Sequence, residues 1–224
     1  MYLPKNIILF GNLSSFFLPY KNYIIGAVIF LFIFASANIY LNLLPKNELF
    51  SYNIPSSYHI ALIDNSPIDK QSPYMCAGYS ASFIKQYYNY LDTSGQQSYQ
   101  QMSYSLPFLN GVPPFRLVNY LNRNKFDTSF YRGNLNNLFA HIVNERPVIV
   151  LVGNGLSWQH YIVLLGYDIN EELLYFYDPE IPYLPGNNNI TGNRVLSFEE
   201  FKNIWSNGLP LYNHLYIPGN YTGL

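Results

Sequence analysis

Three apolar runs follow one another closely in the second half of the chain: "RPVIVLVG" at 146–153, "HYIVLLGYD" at 160–168 and "ELLYFYDP" at 172–179. β-Branched and aromatic residues fill them, which predicts strands. The runs are nearly continuous rather than alternating, so both faces of the sheet they build need cover. "DINEE", 168–172, is a polar turn that makes the second and third runs an antiparallel hairpin, and "GNG", 153–155, closes the first.

The cover comes from segments of helical period. After Cys76, residues Ala77, Ala81, Ile84, Tyr88 and Leu91 recur at three- and four-residue steps, so a helix is predicted over 76–91. "TSGQQSYQ" breaks it. "PPFRLVNYLNRNK", 113–125, predicts a second helix with its prolines near the first turn, and "NLNNLFAHIVNE", 134–145, a third. "SFEEFKNIW" predicts a late helix, with Ser197 as N-cap and Glu200 in the capping-box position. "YHIALID", 58–64, reads as a first strand, "PLYNHLYIP" as a final one and "PGNNNITGNR" as a loop. Helices followed by antiparallel strands make an α+β fold.

Ahead of this globular part, taken as residues 49–220, lies "YIIGAVIFLFIFASANIYLNLL", 23–44, with no charged residue. About 20 apolar residues span a bilayer as a helix. Lys5 and Lys21 precede it, so the positive-inside bias places residues 1–22 in the cytoplasm and the globular part outside. The expected protein is a single-pass membrane protein with an extracytoplasmic domain. The alternative is a signal peptide cut after "ASA", near Ala37, giving a secreted chain. The earlier apolar stretch from Lys5 to Leu18 reads as interfacial.

Charged residues are 11% of the 224, and the net charge is -1, so nothing argues for nucleic acid as a partner. The chain's one cysteine excludes an intramolecular disulfide and any multi-cysteine zinc site. No pair of its four histidines has metal-ligand spacing, no nucleotide-binding glycine motif occurs, and no metal or cofactor is expected.

The chemistry therefore turns on that thiol. Cys76 begins a predicted helix, where the dipole and free N–H groups favour a thiolate. The competing reading is a small buried residue, since free cysteine is among the most buried types. His160 opens the second strand. If Tyr167 pairs with Glu171 or Glu172, His160 falls opposite Asp178 or one position away, and opposed residues share a face. A carboxylate beside an imidazole is what fixes the ring's tautomer in a nucleophile–base–acid triad. Singly, His160 is also a strand-end residue with a structural hydrogen bond, and Asp178 a turn residue before proline. His59, His141 and His214 fit the triad worse.

Gln71, "CAGYSASF" from Cys76, "QHYIVLLGYD" and "LYFYDP" together resemble the C39-like cysteine peptidases of the papain-like superfamily, over roughly 57–218. The resemblance implies a papain-like fold, Cys76 as nucleophile, His160 as base, Asp178 as the residue orienting it, and Gln71 as a side-chain donor of the oxyanion hole. It implies a peptide or protein substrate and bacterial origin. Ala77 stands between Cys76 and Gly78 where many members have Cys-Gly. Members that are transporter domains cut after paired glycines, and that specificity is not carried over. Two other readings use the same fold: an inactive peptide-binding module, and an acyltransferase.

Overall fold

The computed structural model describes residues 21–43, 53–60, 70–89, 94–102, 111–182, 191–208 and 212–223. The chain divides into two compact units, Met1–Asn42 and Leu43–Leu224.

Helix α1, Lys21–Leu43, makes up the described part of the first unit. Its described side chains, residues 22–36, are all exposed, and they are apolar on every face. Among the described residues no helix is long and apolar enough to cross a membrane. The structure thus gives a helix where one was expected, with close to the expected bounds, but not the spanning segment itself. The expected interfacial stretch lies outside the described residues.

In the second unit the strands are β1 (Ser57–His59), β2 (Tyr131–Arg132), β3 (Val148–Asn154), β4 (Trp158–Asp168), β5 (Leu173–Tyr177), β6 (Arg194–Ser197) and β7 (Leu215–Pro218). They form one sheet in the order β2-β7-β3-β4-β5-β6, with β1 also on β4, and every pairing is antiparallel. The helices are α2 (Cys76–Tyr87), α3 (Gly95–Met102), α4 (Pro114–Arg123), α5 (Leu135–Ile142) and α6 (Phe198–Ser206). Residues of α2 to α4 share one core with Ile149, Leu151, Tyr161 and Val163, and residues of α5 and α6 share another with Val148, Val150, Ile162 and Leu164. Alternate residues of β3 and β4 thus feed opposite cores, and the apolar runs are buried on both faces as their composition requires. The α+β architecture matches the expectation.

The β4–β5 register differs from the expected one. Tyr167 pairs with Leu174 rather than with Glu171 or Glu172. The turn is longer: Asp168 Oδ1 accepts the N–H groups of Asn170 and Glu171, and Glu172 takes a φ of 54° to re-enter the sheet. Carried unbroken from Asp168↔Leu173, this register would set Asp178 opposite Val163, on the face away from His160. A β-bulge between Leu164 and Gly166 intervenes. Its extra residue, Leu165, joins the α2-side core while Leu164 and Tyr167 both join the other. Beyond the bulge Val163 pairs with Tyr177. The next step brings Asp178 level with Ile162, two residues from His160 and on its side. One inserted residue decides whether acid and imidazole can meet.

Other boundaries shift for local reasons. The segment read as a break contains α3, which has almost no apolar stripe. Ser94 Oγ accepts the Gln97 N–H and Gln97 Oε1 accepts the Ser94 N–H, a reciprocal cap that starts the helix without one. Helix α3 packs at contact distance on α2, because Gly78 faces Gly95 and Tyr99, and a Cβ at Gly78 would overlap the Gly95 carbonyl. The small residues after Cys76 thus serve two neighbours: Gly78 admits α3, while Ala77 and Ala81 join the core shared with β4. Buried Lys85 donates to Tyr120 Oη at 3.1 Å, and Tyr120 donates to Ser98 at 2.9 Å, linking α2, α4 and α3. The capping box of Ser197 and Glu200 forms as expected. Of the expected first strand, 58 and 59 belong to β1 and 61–64 lie outside the described residues. The expected loop "PGNNNITGNR" ends instead in a strand, since Arg194 begins β6.

Candidate active site

The nucleophile candidate stands at the first position of α2, half-buried. The approach is a tight turn in which Met75 N–H donates to the Ser72 carbonyl at 3.3 Å. Pro73 suits the second place of such a turn, and Tyr74 in the third has a φ of 66°. That place favours glycine, so a tyrosine there carries backbone strain of about 1 kcal/mol. No side chain caps the start of α2, which leaves its first N–H groups for another acceptor. The helix is tied to the sheet one turn later, where buried Ser80 Oγ donates to the Tyr161 carbonyl at 3.2 Å. Tyr161 is the residue after His160, so the same bond fixes the thiol and the imidazole relative to each other.

His160 sits on β4 opposite Val152, and is buried. Its Nε2–H donates to Asp178 Oδ1 at 2.7 Å. The direction follows because Asp178 is held as a carboxylate and can only accept. With Nε2 committed, Nδ1 is the nitrogen left to face Cys76, whose charge acts on the ring. Burial pulls the His160 pKa down, but the bond to Asp178, with the negative charges of Cys76 and Asp178, outweighs it and raises it to about 10. The arrangement favours the imidazolium form of His160.

Asp178 is fully buried. Burial pushes its carboxyl upward, and the bond and charge of His160, the Glu180 N–H and the Arg194 guanidinium together bring it below the usual value. Glu180 N–H donates to Oδ1 at 2.9 Å, and Arg194 Nη1 donates to Oδ2 at 2.5 Å. Asn193 secures the backbone: its Oδ1 accepts the Asp178 N–H at 2.6 Å, and its Nδ2 donates to the carbonyls of Asp178 and Ile181, each at 2.8 Å. Gly192, with φ 95°, lets this segment lie against β5, where a Cβ would overlap the Phe176 carbonyl. Gly192, Asn193 and Arg194 form a clasp around the acid. Sequence reading missed it, having taken these residues as loop, and nothing in the stretch signals which distant backbone they touch.

Gln71 is partly buried. Its N–H donates to the Pro179 carbonyl at 2.6 Å, which ties the segment before Cys76 to the turn after Asp178. Its Oε1 is buried without a hydrogen-bond partner. The structure thus brings Cys76, His160 and Asp178 into one set, with Gln71 fastened to its acid end. The other histidines lie elsewhere: His59 packs edge-on against Tyr175, His141 against Tyr216, and His214 against Trp205. Among the described residues no group of His, Cys, Asp and Glu could hold a metal. A cleft of about 810 Å³ between α3 and α4, lined by Phe115, Arg116 and Arg123 among others, contains none of the four site residues.

Comparison with known proteins gives a family and a fold. The model of the Peptidase_C39 like family matches residues 63–208. Among solved structures, a protein of Bacillus anthracis assigned as a C39-like peptidase superposes with a TM-score of 0.56 at 16% identity, over 76% of this chain and 99% of its own. The peptidase domain of Streptococcus ComA, a bifunctional ABC transporter of a quorum-sensing pathway, gives 0.48 at 18% identity, over 66% of this chain and 93% of its own. A double-glycine motif protease of an AMS/PCAT transporter, solved with its leader peptide, gives 0.49 at 14% identity, over 74% and 99%. A comparison with curated proteins finds no match.

Proposed function

The chain belongs to the Peptidase_C39 like family, and from that premise we propose that it is a cysteine peptidase acting through Cys76, His160 and Asp178. The observation that carries this reading is the set of three: Asp178 bonded to one nitrogen of His160, and Cys76 near enough for its charge to act on the same ring. In the proposed reaction the Cys76 thiolate adds to a peptide carbonyl. The His160 imidazolium then gives its proton to the departing amine, leaving an acyl-enzyme. The neutral ring next takes a proton from water, whose oxygen attacks the thioester, and the thiolate is released. Asp178 keeps the ring's tautomer and offsets its positive charge without itself gaining the proton. The uncapped N–H groups at the start of α2 and the Gln71 side-chain amide supply hydrogen bonds to the oxyanion. No cofactor enters any step.

Alkylation by iodoacetamide at neutral pH tests the reading. The wild-type thiol is expected to react at least tenfold faster than that of His160→Ala, and Cys76→Ser to cut no peptide that the wild type cuts. Equal, slow alkylation of wild type and His160→Ala overturns it.

The amino-terminal helix is assigned as a membrane anchor within the same proposal. The support is its uncovered apolar surface, with Phe30, Leu31, Phe32 and Ile33 each more than 60% exposed. The catalytic domain then lies outside the cell. The full chain is expected to stay with membranes through an alkaline carbonate wash; release into the supernatant overturns this.

A further inference from the structure

The acid of the site faces two cations, not one. Asp178 Oδ1 takes the His160 Nε2–H at 2.7 Å and Oδ2 takes Arg194 Nη1 at 2.5 Å, and the carboxylate is fully buried between them. A carboxylate held through both oxygens on opposite partners cannot turn about its own bond. The Arg194 side chain is about one quarter exposed, at 28%, so its charge is only partly screened where it meets the acid. Its place is set from both sides. Asn193, the preceding residue, binds the Asp178 backbone, and Arg194 itself opens β6, where it pairs with Phe176 of β5.

We propose that Arg194 is a positioning residue for the reaction: it locks the Asp178 carboxylate onto His160 and shares the acid's charge, so that it sets the pH at which the imidazolium is lost. The inference rests on the reading of Cys76, His160 and Asp178 given above. The charged and titratable groups around His160 are Cys76 from α2, Asp178 after β5 and Arg194 from β6, with the Glu180 N–H also on the acid. Glu200 of α6 in turn feels Arg194. Two cations on one carboxylate repel each other. Removing the guanidinium therefore strengthens the hold of Asp178 on the His160 proton, and the imidazolium persists to higher pH.

The measurement compares two alkylating agents on the full-length protein. Iodoacetate is an anion drawn to imidazolium, and iodoacetamide is neutral, so the ratio of their rates at Cys76 falls as His160 loses its proton. Followed from pH 6 to 11, the ratio gives a midpoint. Arg194→Gln keeps a donor to Oδ2 and drops the charge; its midpoint is expected to rise by about 0.5 to 1 pH unit, a three- to tenfold change in the proton's binding constant. Arg194→Lys keeps the charge and is expected to restore the wild-type midpoint. In an Asp178→Asn background, Arg194→Gln is expected to move nothing, because the acid through which it acts is neutral.

An unmoved or lowered midpoint in Arg194→Gln overturns the proposal. Should that variant fail to fold, a midpoint in Arg194→Lys raised by about 0.5 pH unit or more above wild type overturns it, since the charge is then not what matters. A wild-type ratio with no midpoint at all counts against the peptidase reading instead, which separates the two failures.

Discussion

The two halves of the site are built differently. On the acid side Asp178 is fully buried, and its carboxylate and backbone are held by His160, Arg194, Glu180 and Asn193. On the nucleophile side Cys76 is half-exposed, follows a turn strained at Tyr74, and begins a helix that no side chain caps. The contrast assigns separate tasks. In the proposed reaction the acid holds one orientation through every step and never meets a substrate, and hydrogen bonds enclose it. The thiol in that reaction meets a substrate, and its surroundings keep the first N–H groups of α2 without a side-chain cap.

Breaking the acid side is expected to have the largest effect. Asn193→Ala removes the side-chain partners of the Asp178 N–H and carbonyl and of the Ile181 carbonyl. A loss of about 2–4 kcal/mol is expected, since buried backbone groups are left unpaired. Thermal unfolding checks it, and a loss below about 0.5 kcal/mol contradicts the clasp.

The pH dependence of stability comes next, on the scale of a charged hydrogen bond, roughly 1.5–3 kcal/mol at each end. His160 holds its proton more tightly folded, to about pH 10, than its ordinary 6.5. Its contribution is therefore full below pH 6.5 and lost as the pH rises toward 10. Asp178 is lowered from 3.8, so its contribution is full above about pH 4 and lost as the pH falls below that. Denaturant titrations at several pH values should show a plateau between, and Asp178→Asn should flatten both flanks.

On the nucleophile side the effects are smaller. Gly78→Ala forces α2 and α3 apart and is expected to cost about 1–3 kcal/mol, read from the denaturation midpoint. Tyr74→Gly relieves the left-handed strain and is expected to stabilise by about 0.5 kcal/mol, raising the melting temperature by a degree or two. If Tyr74→Gly moved stability as much as Asn193→Ala, the two sides would not differ in the way described.

Much of this was legible in the residues. The apolar runs at 146–179 announced a sheet covered on both faces, and the reciprocal cap at Ser197 and Glu200 was visible as a motif. That His160 and Asp178 meet was inferred correctly but through a register the molecule does not use. The bulge at Leu165 has no signature in a run of apolar residues, because either face of the sheet accepts a leucine. Helix α3 was hidden because its pattern is polar, although Ser94 and Gln97 carried its cap. Asn193 and Arg194 stayed invisible because their importance lies in which distant backbone they touch, and a loop-like stretch rich in asparagine gives no hint of that.

The bulge in β4 has a genetic consequence. Losing the Leu165 codon would keep the reading frame and take out the one residue of this stretch that has no partner on β5. Leu164 and Gly166 would then be neighbours in a regular ladder, every other pair would stand, and Asp178 would stay level with Ile162. The same loss elsewhere in the strand can be absorbed by giving up the bulge, whereas a gain has no such reserve. A relative one residue shorter in this strand can therefore keep the chemistry, and the bulge is where its missing residue would be.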